Sequence, residues 1–142
     1  MKKGIIITMC LLLLSAGVPV YTDAKALDRQ ETGEVTPCYT YLSSVLASIS
    51  IEKGYAKCTG NLMLFASYTS SITLTLQRSK DGVNWSNVKS WSQDFTGSGS
   101  HSLEDGYYVN SGYIYRVKNV SKVKNGSTVL ETATVYSSEI SY

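Results

Sequence analysis

Aromatic and hydroxyl side chains carry most of the binding chemistry in this 142-residue chain, which holds 11 Tyr and 2 Trp with Ser and Thr interspersed throughout. Such amphipathic groups build contact surfaces at low entropic cost. Trp85, Trp91, Tyr107 and Tyr108 are the candidates for a ligand surface. Tyr113, Tyr115 and Val117 alternate on one face and read as core. Aromatic residues also favour sheets in their own right, which is the competing account of all of them.

Catalytic and metal chemistry has less to work with. His101 is the single histidine and sits in Gly97-Ser98-Gly99-Ser100-His101-Ser102, which reads as a flexible hairpin tip. A nucleophilic triad needs a positioned base and an oriented third group, so no catalytic residue is assigned. Zinc calls for several His or Cys ligands. His101, Glu104 and Asp105 lack the spaced carboxylates of a calcium loop. No metal and no cofactor is expected. Glycosidase chemistry needs a matched carboxylate pair, and the acids here are scattered through turns and strand ends.

Three cysteines are present, Cys10, Cys38 and Cys58. A Cys38–Cys58 bridge would close a loop of roughly 20 residues and contribute about 3 kcal/mol in the chain-entropy account. A hairpin centred on Lys53 sets Cys58 opposite Ser48, which leaves Cys38 roughly 33 Å further along a strand. Bridging needs Cα atoms within about 7 Å, so the chain would have to double back near Ser43-Ser44. The alternative is a buried Cys58 and a Cys38 that is free or intermolecular.

The N-terminus accounts for the rest of the organisation. Met1-Lys2-Lys3 is a basic start, Ile5 to Leu14 is apolar, and Ala24-Lys25-Ala26 is a small-x-small site. These are the parts of a secretory signal peptide. Residues 1–26 are assigned to it, with cleavage after Ala24 as the other choice, 27–37 to a flexible lead-in, and 38–142 to the folded domain. A secreted, extracellular location follows, with no membrane insertion after cleavage. The oxidising setting is what makes the cysteine question relevant.

Cleavage also changes the charge. The whole chain carries 13 basic and 11 acidic residues, a net +2. Losing Lys2, Lys3, Lys25 and Asp23 leaves 10 of each, and cleavage after Ala24 leaves +1. Charged residues are 17% of the chain, against roughly 25% in an average soluble protein. That is too few for a nucleic-acid footprint.

The positioning elements read as strands. Tyr41, Val45, Ala47, Ile49 and Ile51 alternate with polar residues, and Glu52-Lys53-Gly54 forms a turn. A second strand covers 55–66 and breaks at 68–71. Ile72, Leu74 and Leu76 alternate with Thr73, Thr75 and Gln77 in the clearest strand. Ser79-Lys80-Asp81-Gly82 is an Asp-Gly turn. Residues 87–95 form a strand, 96–100 a Gly/Ser loop, and 107–109 and 112–117 one broken strand or two. Asn125-Gly126 marks a hairpin and 128–136 the closing strand. About seven short strands with frequent turns predict an all-β fold, a single antiparallel β-sandwich, with a small antiparallel β-barrel as the alternative.

Residues 75–85, with their Asp-Gly turn and following Trp, and Gly112-Tyr113-Ile114-Tyr115-Arg116-Val117 before Asn125-Gly126, resemble strands of fibronectin type III or immunoglobulin-like modules. That resemblance implies a tyrosine corner, expected at Tyr113. A second resemblance spans nearly the whole chain. It is carried by Tyr41-Leu42-Ser43-Ser44, Ile49-Ser50-Ile51, Gly54-x-Ala56-x-Cys58, Leu76-Gln77, Trp85, Val88-Lys89-Ser90-Trp91, Gly112-Tyr113-x-Tyr115-Arg116-Val117 and Glu131-Thr132. These resemble an uncharacterised family of small secreted proteins from Gram-positive bacteria. It implies secretion and no particular activity. The function expected is a non-catalytic extracellular module that binds a glycan or protein. A self-associating surface protein and a small secreted hydrolase are the alternatives. The sequence does not specify the oligomeric state.

Overall fold

The computed structural model describes residues 38–142. The expected signal peptide (1–26), its expected cleavage after Ala26 or Ala24 and the expected 27–37 lead-in lie outside the described residues. Among the described residues, no helix is long and apolar enough to cross a membrane.

Six antiparallel strands follow one another: β1 (Leu42–Glu52), β2 (Tyr55–Ser79), β3 (Ser86–Tyr108), β4 (Ile114–Asn125), β5 (Thr128–Tyr136) and β6 (Ile140–Ser141). The first hairpin turns on Lys53 and Gly54, with φ of 50° and 80°. A two-residue turn with both φ positive matches the twist of the strands it joins. Because the loop has two residues, Glu52 pairs with Tyr55 and Cys58 faces Ile49. The expected Ser48 partner is off by one position, since a turn centred on Lys53 alone would have an odd loop.

Two strands are far longer than the sequence pattern predicts, and they build both layers. Residues 55–64 of β2 pair with β1 on one side and with 99–108 of β3 on the other. Beyond a register shift between Leu64 and Tyr68, β2 pairs with the first half of β3 and with β4. β5 then extends the sheet from β4. One hydrogen-bonded sheet is thus folded over into a three-stranded layer facing a four-stranded one. It is an open sandwich, because β1, β3 and β5 each keep an edge without a hydrogen-bonded strand neighbour among the described residues.

The predicted breaks at 68–71 and 96–100 are instead places where continuous strands bend. Gly97 and Gly99 have φ of 114° and 86°. Glycine accepts these angles without a Cβ penalty, and in a strand it marks a bend or bulge. Counting β2 and β3 twice and setting aside the two-residue β6 gives seven segments, the number expected.

The core lies between the layers. Leu62, Ile72, Leu74, Leu76 and Val117 are essentially inaccessible, and each such burial is worth about 1.5–3 kcal/mol. Polar ties fix the layers laterally. Asn119, on β4, is fully buried. Its side-chain amide donates to the Leu46 carbonyl on β1 at 2.8 Å, and its oxygen accepts from the Ser121 hydroxyl at 3.0 Å. The Glu131 carboxylate accepts the backbone N–H groups of Thr40, Tyr41 and Leu42 at 2.9, 2.9 and 3.0 Å. That contact anchors the start of β1 to β5.

The tyrosine corner belongs to Tyr115 rather than Tyr113. Tyr115 is buried, and its hydroxyl donates to the Asn110 carbonyl at 2.7 Å. A corner Tyr near the start of this strand is a mark of the immunoglobulin-like sandwich. Tyr113, two residues earlier and outside β4, is only partly buried.

Candidate functional site

The outward face of the four-stranded layer is the best-organised surface. In β2, Ile72, Leu74 and Leu76 turn inward, so Thr73, Thr75 and Gln77 turn outward. Strand pairing lines these up in rows. Asn87, Gln77 and Arg116 form one; Ser90, Thr75, Lys118 and Tyr136 the next; Ser92, Thr73, Val120 and Thr134 a third. Within the rows, Ser90 donates to Thr75 at 2.9 Å and the Thr73 and Ser92 hydroxyls share a bond of 2.9 Å.

Arg116 is the most constrained cation on this face. Its guanidinium carbon lies 3.9 Å from the Trp85 ring centre and 4.3 Å from that of Tyr136. Each such contact contributes about 0.5–1 kcal/mol when exposed. Nε donates to Gln77 at 3.0 Å, and Gln77 donates to Asn87 at 2.9 Å. The group is therefore held flat and pre-oriented.

The Ser79–Trp85 segment explains how Trp85 arrives there. The Asp81 carboxylate accepts from the backbone of Val83 and Asn84 at 2.9 and 2.8 Å and from the Asn84 side chain at 2.7 Å. The Asn84 contacts first, then those from Val83 and Ser79, hold the Asp81 carboxyl well below the usual carboxylate range. The Trp85 indole N–H then donates to the Gly82 carbonyl at 3.2 Å.

The four expected aromatic residues do not share one surface. Trp85 alone joins the face just described. Trp91 pairs with Leu74 and packs against the core. Tyr108 pairs with Tyr55 on the other layer and meets its ring edge-on at 5.0 Å. Tyr107 and Tyr108 help line a separate cleft of about 320 Å³ with Arg78, Asn87 and Val88. There the bent β3 brings its own two ends together, and the Lys89 ammonium lies 6.0 Å from the Tyr107 ring centre.

Several residues that sequence reasoning passed over stand on the same face as Arg116. Arg116, Lys118, Lys122 and Lys124 are spaced by even numbers of residues along β4, and pair with Gln77, Thr75, Ser71 and Thr69. Even spacing puts them on one side of the sheet. The signal was present as alternation, but a near-zero net charge concealed it. Asp94 is the acid of these rows, 3.4 Å from the Lys124 ammonium.

The remaining candidates lie away from this face. Cys38 is exposed, Cys58 is buried, and both are free thiols. Burial, and then the charge of Asp105, push the Cys58 thiol up to about 12. His101 is not in a flexible tip. It lies within β3, stacked on Phe95 at 5.0 Å, with Nε2 3.4 Å from the Gly97 carbonyl oxygen. Among the described residues, no group of three or more His, Cys, Asp or Glu side chains is placed to hold a metal ion.

No family model matches the chain, and no curated protein matches it. Solved structures with a similar course of the chain include Bacteroides uniformis β-glucuronidase 2, at 13% identity and a TM-score of 0.42 over 65% of this chain and 12% of that one. CsgH from R. palustris gives 14% identity and 0.37, over 66% of this chain and 89% of that one. The sporulation control protein Spo0M of Bacillus subtilis gives 10% and 0.42, over 70% and 50%. The chain spans about an eighth of the glucuronidase. The strand pairing and the Tyr115 corner, not these likenesses, carry the fold assignment.

Proposed function

We propose that the chain is a secreted, non-catalytic binding module that meets an extracellular glycan or protein through the outward face of β3, β2, β4 and β5. The observation that carries this reading is Arg116, stacked on both Trp85 and Tyr136 and hydrogen-bonded through Gln77. A surface arginine ordinarily loses about 2 kcal/mol of side-chain entropy when fixed by a ligand. Here the fold has fixed it beforehand, which favours recognition. The test is retention of the mature protein on envelope and host mucosal fractions. Arg116→Ala should weaken retention while leaving the circular dichroism spectrum intact. Equal retention of the variant removes the site assignment.

A second reading, self-association, draws on the open edge of β3, which runs for 23 residues. Exposed edges template further strands. Sedimentation across a hundredfold concentration range decides it, and a constant monomer mass rejects it.

A further inference from the structure

We infer that the outward face of the four-stranded layer binds an acidic polysaccharide, one carrying carboxylate or sulfate groups along an extended chain. This rests on the proposed role of that face as the ligand surface and names the ligand class. Arg116, Lys118, Lys122 and Lys124 stand along one face of β4, with Val120 between the two pairs. Consecutive members two residues apart are about 6.8 Å apart, and the row runs for about 27 Å. No small anion spans that length, since each would reach one or two cations. A linear polyanion reaches them all.

The sign of the face is one-sided. Asp94 is the acid among its rows, and it already engages Lys124. Glu104 is on the other layer, paired there with Lys57 at 2.9 Å. The Glu131 carboxylate is occupied by three backbone N–H groups. A net charge of only +2 thus conceals a cationic row, with Asp81, tied up in its own turn, and the exposed Glu139 lying outside the rows, and it is the local field that attracts a charged ligand.

The neighbours of the cations select among polyanions. Parallel to the row, the Thr73, Ser90 and Ser92 hydroxyls lie outside the buried Thr75, and the lone pairs and protons they do not spend on one another can serve sugar hydroxyls. Tyr136 is half exposed at one end and offers a ring for a sugar face. Single-stranded nucleic acid instead needs aromatic platforms repeated along the track, and here they stand only at the Arg116 end. An anionic membrane needs apolar side chains to insert. Most of the exposed aliphatic and Phe side chains lie elsewhere, Leu46, Met63 and Phe65 on β1 and the first part of β2, and this face adds only Val129 beside Lys124, too little to insert.

The experiment titrates the purified protein against polygalacturonate, heparin, neutral dextran, a single-stranded oligonucleotide and phosphatidylglycerol vesicles. Binding to polygalacturonate or heparin is expected, and the preferred one identifies carboxylate or sulfate. With three or four contacts, counterion release should weaken binding roughly 30-fold between 50 and 200 mM salt. Lys118→Gln/Lys122→Gln should lower affinity at least tenfold at 50 mM salt and flatten the salt dependence. Lys53→Gln/Lys57→Gln, on the other layer, should match wild type. Equal loss in both double variants, no loss in the first, or tighter binding to oligonucleotide or vesicles overturns the inference. Retention on envelope or mucosal fractions without binding to either charged glycan overturns the inference alone. Retention on nothing overturns the binding-module reading with it.

Discussion

The side chain that Gly60 lacks is the space through which Asn119 reaches the opposite layer. A Cβ at Gly60 would sit 2.9 Å from the Asn119 amide nitrogen and would also collide with the Leu74 side chain. Gly60→Ala should therefore destabilise the protein by about 1–3 kcal/mol through overpacking. Asn119→Ala should cost about 1–3 kcal/mol, because it strands the buried Ser121 hydroxyl and the Leu46 carbonyl. Urea midpoints measure both. The double variant should cost less than the sum, since the two residues contest one volume.

Tyr115 and Tyr113 separate the corner from its neighbour. Tyr115→Phe removes only the hydroxyl that bonds Asn110. It should cost about 0.5–1.5 kcal/mol, read as a lower midpoint at unchanged slope. Tyr113→Phe should change stability by less than about 0.5 kcal/mol, as a substitution away from such a bond.

Stability should fall at both ends of the pH scale for separate reasons. The Asp81 carboxyl is held low in the folded state, so its contribution is complete above the ordinary carboxylate range and is lost as pH falls below it. The Cys58 thiol is held high, at about 12 against a usual 9.0. Its contribution is complete below pH 9, and is lost as the unfolded chain ionises between those two values. Thermal melts of Asp81→Asn and Cys58→Ala should each flatten one arm of the profile, the alkaline arm only in part because Lys57 and Tyr115 are also held high. Thiol labelling at neutral pH should modify Cys38 rapidly and Cys58 only after denaturation.

The inward faces were legible because alternation is local. Ile72, Leu74 and Leu76 declare their face within one short run of alternation, as do Val45, Ala47, Ile49 and Ile51. Strand ends were not legible at Gly97 and Gly99. Glycine bends and glycine loops have the same composition, and only pairing with Leu64 and Tyr68 tells them apart. The corner was misplaced by two residues because Tyr113 and Tyr115 share a parity. Trp85 was found by its aromatic character. Arg116 and the lysines were missed because summing charges discards their order, and order is what a strand turns into position.

Since β2 and β3 each belong to both layers, neither layer has a boundary of its own. A sandwich of separate strands can let one sheet fray while the other stays intact. Here, opening the three-stranded layer pulls on the same two chains that hold the four-stranded one. The domain should then exchange its amide hydrogens as one cooperative block rather than in local subunits. A proteolytic cut at the bend between Leu64 and Tyr68 would leave β3 as the remaining strand shared by the two layers.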